Sequence, residues 1–324
     1  MMKYPLKTVH GHSISTLESL LEDSCSAFDD FINLEEENIG GWSNINIRGK
    51  TSNFDFILKL PGILKEYETN PYAQQYRLAQ YFSRLDLTPS AIEIGRLSDA
   101  AETPFYLIEY IEGKTYTKVT DATSDELLAL KESLRMLRSQ KPPKLRKFSS
   151  AIEYLVANHA RVENHPWLSK ATERSRDLLD QYSPLYSEVE IQTATIDRWS
   201  GELMHGDLWI PNVIFRPGHH AVLLDLEACA YGDHLYDLAS LLEVHVNTAT
   251  DKLPLLIHKE DYMNVNMLRP LVLSYVIDWS LERLLTMESG IIEPNLNTST
   301  IYDMIVGYTR EKIARLNDLL SYVK

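Results

Sequence analysis

Apolar positions follow two different periods along this chain. From Asn44 to Glu112 they alternate. Ile45 and Ile47, then Phe54, Phe56, Leu58 and Leu60, flank the turn Gly49-Lys50-Thr51-Ser52-Asn53 and predict a hairpin. Ala91–Leu97 and Phe105–Ile111 read as further strands of the same sheet. Elsewhere the period is helical. Over residues 15–32, Leu17, Leu20, Leu21, Phe28 and Ile32 form one stripe, opened by a Ser15/Glu18 capping box, and this helix is expected outside the sheet. The acidic run Glu35-Glu36-Glu37 after it reads as a solvated turn. A second capping box, Thr123/Glu126, opens a helix that buries Leu127, Leu130, Leu134 and Leu137 and ends before Pro142-Pro143. Helices are expected at 149–163 and 167–182, from Asp237 to about Val246, over Leu268–Met287 and over Ile301–Val323, the last after a polar loop from Gly290 to Thr300.

Between the helical stretches lies a segment of another kind, from Leu203 to Asp237. The runs Leu203–Met204, Val213–Phe215 and Val222–Leu224 read as short strands, with Arg216-Pro217-Gly218 turning between the last two. Asp207 and Asn212 stand five positions apart, and Asp225 follows thirteen later, so the hairpin is expected to bring Asn212 and Asp225 together. An acid on a loop after a strand, an amide soon after and an acid at the end of the next hairpin meet the needs of phosphoryl transfer. They can receive a hydroxyl proton and offer hard oxygen donors to Mg2+.

The wording HGDLWIPNVIF followed by LLDLEACAYGDHLYDLA resembles the aminoglycoside phosphotransferase and choline kinase family of small-molecule kinases. The resemblance spans about residues 38 to 320. It implies an α+β, two-lobed, protein-kinase-like fold, with an antiparallel five-stranded N-terminal lobe and a mainly helical C-terminal lobe. The corresponding boundaries are an N-terminal helical extension at 1–37, a nucleotide-binding lobe at 38–112 and a helical lobe at 113–324. By the same resemblance Asp207 is the catalytic base, Asn212 and Asp225 bind Mg2+, and Glu227 supports a second metal or its water shell. His205 braces the loop, and Asp237 ties the following helix back to it.

Other parts of the chain take on meaning from that resemblance. Gly40-Gly41-Trp42-Ser43-Asn44 looks like the loop that covers the phosphates, so Gly40, Gly41 and Ser43 are candidate nucleotide contacts. Lys59 alternates against Leu58 and Leu60 and resembles the strand lysine that meets the α- and β-phosphates. The helix glutamate that normally pairs with this lysine is absent: counting back from Pro89, its place is held by Gln75, with Glu66 and Glu68 as other candidates. The peptide groups of Glu109 and Ile111 resemble those that bond adenine. Arg138 stands where the family commonly has a histidine. Trp209 and Tyr231 are candidate acceptor contacts. So are Asp278 and Trp279, through cation–π and ion-pair contacts to an ammonium group, although the favoured reading of that helix makes Tyr275 and Trp279 core and the acids solvated.

Composition narrows the partners. With 324 residues, 44% hydrophobic and 24% charged, the chain can bury a large core. Its formal net charge of −14 argues against nucleic acid or an anionic membrane as partner. Two cysteines, Cys25 and Cys229, imply no disulfide framework, and no stretch reads as a signal or a membrane span, which together fit the cytosol. The expected activity is Mg2+-dependent transfer of the γ-phosphoryl group of ATP or GTP to a hydroxyl of a small molecule: an amino alcohol, amino sugar or sugar. A fructosamine-kinase-like or homoserine-kinase-like acceptor is the alternative within enzymes. Outside them, the alternative is a catalytically silent nucleotide-binding module, to which the missing helix glutamate gives footing.

Overall fold

The computed structural model describes residues 4–28, 31–40, 44–62, 70–243, 252–289 and 298–321. Among them, two compact units separate. One comprises the described residues up to 115 with Val213–Glu227; the other comprises Tyr116–Asn212 and the described residues of 228–289 and 299–321.

The first unit is an antiparallel sheet of β1 (Tyr4–Pro5), β2 (Asn33–Asn38), β3 (Asn44–Lys50), β4 (Asp55–Pro61), β5 (Ala91–Arg96) and β6 (Pro104–Glu109), in the order β1-β2-β3-β4-β6-β5. The expected hairpin is β3–β4, with Asn46 opposite Lys59 and Ile47 opposite Leu58. Phe56, Leu58 and Leu60 alternate onto one face. There they pack with Phe105, Leu107 and two leucines, Leu17 and Leu21, of α1 (Ile14–Ser24). Each such leucine, fully buried, contributes about 1.5–3 kcal/mol.

Here the structure corrects two expectations. The helix α1 is capped by Ser13, whose hydroxyl accepts from Thr16 N at 3.2 Å, and it stops at Ser24. Glu18 makes no capping box and instead accepts from the Leu34 amide at 2.8 Å, while Glu22 accepts from the Ile32 amide at 3.0 Å. The acidic run 35–37 lies in β2, where Arg48 of β3 pairs with Glu35 at 3.7 Å. With β1 and β2 the sheet reaches six strands, so the segment before residue 38 is part of the sheet as well as its cover.

The face carrying Lys59 meets α2 (Ala73–Phe82), where Tyr72, Ala79 and Tyr106 form a smaller cluster. The same unit holds the second hairpin, β8 (Val213–Ile214) and β9 (Val222–Leu223), as expected. It is anchored there by backbone bonds of Leu223 to Leu87 and of Phe215 to Lys114, and by Arg216 on Asp86 at 2.6 Å. The sequence boundaries had put this stretch with the rest of 113–324.

The second unit is helical. It contains α3 (Ser124–Arg138), α4 (Ala151–Glu163), α5 (Glu173–Thr193), α6 (His234–Glu243), the single turn α7 (Leu253–Leu256), α8 (Tyr262–Glu288) and α9 (Thr298–Ser321), with a two-stranded ribbon of β7 (Glu202–Met204) and β10 (Ala230–Gly232). The Thr123/Glu126 capping box is present, and all four predicted leucines of α3 are buried. The helix expected at 167–182 begins only at Glu173, capped by Thr172, and runs through Pro184 to Thr193. Three helices, α4, α5 and α6, pack on α8, which is buried on most of its circumference. No described helix is long and apolar enough to cross a membrane.

Candidate active site

In the first unit the strand lysine is buried. Lys59 is 6% exposed, and its ammonium lies 3.0 Å from Gln75 Oε1 and 3.2 Å from Asp225 Oδ1. Burying an ammonium costs several kcal/mol unless it is paired and hydrogen-bonded, and here it is both. Gln75 is thus the helix partner, as the count back from Pro89 gave; Glu66 and Glu68 lie outside the described residues. Its Nε2 donates to Glu227 Oε2 at 2.9 Å, and Gln74 Nε2 donates to the Glu227 carbonyl, also at 2.9 Å. Asp225 sits just past β9 with φ of 59°, a left-handed conformation that non-glycine residues adopt at a cost of about 1–3 kcal/mol. The phenol of Tyr106, opposite Lys59 on β6, is pushed up by burial and then by the charge of Asp225.

In the second unit the catalytic-loop candidate is held from behind. The amides of His205 and Gly206 donate to the two oxygens of Asp237, at 2.8 and 2.9 Å. Asp237, on α6, is 2% exposed; burial raises its carboxyl to about 7, with the two amide bonds pulling the other way. Gly206 has φ of 82°, and a Cβ there would lie 2.2 Å from the Ala228 carbonyl oxygen, so glycine is required on two counts. His205 is fully buried and its Nδ1 accepts from the Asp207 amide at 3.3 Å. Asn212 donates Nδ2 to the carbonyl of Asp207 at 3.1 Å and to its carboxylate at 3.4 Å. That network sets the amide so that Oδ1 faces away from Asp207.

Several other candidates land elsewhere. Tyr231 donates its hydroxyl to the Pro142 carbonyl at 3.0 Å, and Lys147 covers its ring at 5.3 Å, so it is committed within the helical unit. Asp278 is fully buried and bonds His159 Nδ1 at 2.7 Å; it is an interior ion-pair partner and not an acid facing a substrate. The face of Tyr275, one turn away, is taken by the Arg161 guanidinium at 5.4 Å. Trp279 is half-buried on the same helix, and Trp209 is half-buried in the loop, where its carbonyl accepts from the Asn212 amide. Glu109 ends β6, its amide bonded to Ser90, and Ile111 follows two residues on. Gly40 closes the described stretch before the phosphate-loop candidate; Gly41 and Ser43 lie outside the described residues.

Sequence reasoning missed the aromatic surroundings of Asp207. The phenols of Tyr154 and Tyr308 are raised by burial and further by the charge of Asp207. Lys312, one turn after Tyr308 on α9, is 1% exposed and lies 4.9 Å from that ring. The Tyr308/Lys312 spacing was a usable signal: a lysine on the apolar stripe of a helix needs a partner.

A buried ammonium paired with a carboxylate, and a loop carboxylate with an adjacent amide on a backbone held from behind, are the parts of a phosphoryl-transfer enzyme. The chain belongs to the phosphotransferase enzyme family: the family's model matches residues 36–271. It has the kinase-like fold and is a small-molecule phosphotransferase. Among solved structures it is similar to choline kinase LicA from Streptococcus pneumoniae, at 18% identity over 95% of this chain and 98% of the other, with a TM-score of 0.59. It is similar also to spectinomycin phosphotransferase APH(9)-Ia in complex with ADP and spectinomycin, at 12% identity, 92% and 98% coverage and a TM-score of 0.59. A thermostable mutant of aminoglycoside phosphotransferase APH(4)-Ia, in ternary complex with AMP-PNP and hygromycin B, gives 13%, 94% and 98%, and 0.61. No curated protein matches the sequence.

Proposed function

We propose that the enzyme transfers the γ-phosphoryl group of ATP or GTP to a hydroxyl of a small molecule, an amino alcohol, amino sugar or sugar, in the cytosol. The observation that carries this reading is Lys59: a lysine buried on a sheet face and paired with Asp225 is a cation reserved for a polyanion. Similar structures hold ADP or AMP-PNP, and in the same complexes spectinomycin or hygromycin B.

The donors present fit Mg2+. Asn212 Oδ1 and the Asp225 carboxylate are hard oxygens, and Mg2+ is commonly bound by one or two carboxylates together with phosphates. When bound, the ion supplies neutralisation of phosphate charge. Asp207 orients the acceptor hydroxyl and receives its proton. The Asn212 amide, bonded to Asp207, holds that carboxylate in one orientation. Trp209 borders the acceptor, and the peptide groups of Glu109 and Ile111 meet the base. Nucleic acid and anionic membrane surfaces are disfavoured as partners by the net charge of −14.

The test is a panel of amino alcohols, sugars and amino sugars supplied with Mg2+ and ATP or GTP, reading nucleoside diphosphate release. Release should depend on an acceptor and fall roughly 10²–10⁴-fold in Asp207→Asn. Nucleotide binding with no transfer to any acceptor would favour a silent binding module, and turnover that persists in the variant would remove Asp207 from its role.

A further inference from the structure

The residue facing Lys59 from α2 is an amide, although a carboxylate makes the stronger contact with an ammonium. Both ends of that amide are used. Gln75 Oε1 accepts from Lys59 and Nε2 donates to Glu227, at 3.0 and 2.9 Å. Turning the amide over would set N–H against ammonium and carbonyl against carboxylate, so its two neighbours fix its orientation. Gln75 is 4% exposed, whereas Glu227 is exposed, and the negative charge therefore sits at the solvent end of the chain of contacts. Gln74 grips the Glu227 carbonyl, so two successive glutamines of α2 hold the short turn that follows Asp225.

We infer that Glu227 is a second carboxylate of the lysine site beside Asp225, acting through Gln75 as a positioning residue, and that residues 75 and 227 specify each other. The inference rests on reading Lys59 as the nucleotide lysine. The amide dipole lies along the line from ammonium to carboxylate and is favourably oriented toward both charges. A carboxylate at 75 with Glu227 kept would place two acids at 2.9 Å, and one of them could stay ionised only at a cost. This gives Glu227 a task other than the metal or water-shell role that the family resemblance implies: it keeps Lys59 in place whether or not it also feels the ion.

The test is a cycle of four proteins: wild type, Gln75→Glu, Glu227→Gln and the double swap. Two quantities are read, Mg–ADP affinity by calorimetry and the nucleotide KM against kcat. Gln75→Glu should weaken ADP binding about tenfold and Glu227→Gln by about threefold to tenfold, mainly in KM. The swap, which restores one acid and one amide, should return to within about threefold of wild type. Should Gln75→Glu fail to fold, recovery of folding and ADP binding in the swap supports the pairing. A swap as defective as the worse single variant, or Gln75→Glu binding ADP as well as wild type, overturns it. So does a shift of melting temperature with KM unmoved. A wild type that binds ADP but phosphorylates no acceptor sinks the proposed function while the ADP cycle still decides this inference; a wild type that binds no ADP sinks both.

Discussion

In the helical unit, the loop carrying Asp207 is held through its backbone. Two successive amides, of His205 and Gly206, bond one buried carboxylate, and Gly206 leaves no room for a Cβ against Ala228. In the sheet unit, Lys59 is held by side chains alone, Gln75 and Asp225, with Glu227 behind the first. The two ways of fixing a reactive group differ in what they allow. A backbone clamp uses groups every residue has and ties down the one position whose geometry is special. A side-chain relay can exchange acid and amide between partners, provided the charges still alternate. The departure at Gln75 is therefore tolerable where a departure at Gly206 is not.

The comparison breaks most readily at Gly206. Gly206→Ala meets both a positive φ and a 2.2 Å contact, and should lose roughly 3 kcal/mol or more together with activity, seen in denaturant melts and turnover. Asp237→Ala strips two buried amides of their acceptor and should cost about 2–4 kcal/mol. Asp237 also carries a pH signature. Its carboxyl is raised in the fold, to about 7, by burial, with the two amide bonds opposing, so its stabilising contribution is complete below its ordinary value near 3.8 and is lost as pH climbs through about 7. Between pH 5 and 8 wild type should lose about 2–4 kcal/mol relative to Asp237→Asn, read as the difference between their unfolding curves.

On the sheet side the effects fall on ligand affinity. Lys59→Ala should weaken Mg–ADP binding by about tenfold to a hundredfold, as loss of charge-assisted bonds, with a smaller change in melting temperature than Asp237→Ala. The smallest effect is expected at His159, outside both sites. Burial lowers its pKa, but the bond and charge of Asp278 outweigh this and the net shift is upward. Asp278 is raised too, by burial, against the pull of His159. The His159 ring keeps some solvent access, 15% against none for Asp278, so the proton is exchanged there. Its contribution is present below pH 6.5 and lost as pH rises past the elevated value. Wild type should then lose stability relative to His159→Gln as the pH rises from 6 to 9, read as the difference between their unfolding curves.

What could be read in the sequence follows the same division. The strands around Asp207, Asn212 and Asp225 are short, but turn chemistry and motif spacing locate them, and β7, β8 and β9 appear where expected. Lys59 was legible from strict alternation in β4, and Gln75 from its distance to Pro89. Cross-strand charge was not legible: the triple glutamate run looks like a solvated turn until Arg48 of the neighbouring strand is placed beside it. The fate of Asp278 was hidden for a similar reason. On its own helix it looks like a free acid beside aromatics, and only α4 brings His159 to it. The cap of α1 was misread by two residues, because Ser13 and Ser15 are equally good caps in isolation and Glu18 had a long-range partner in Leu34.

The central claim is that Asn212 and Asp225 hold the metal of a nucleotide complex. It is tested most directly by a crystal structure with Mn2+ in place of Mg2+ and a non-hydrolysable ATP analogue, locating the ion by its anomalous signal. The account predicts one strong peak ligated by Asn212 Oδ1, the Asp225 carboxylate and phosphate oxygens, with Lys59 on the phosphates. A peak ligated by neither residue, or a nucleotide bound away from Lys59, would contradict it.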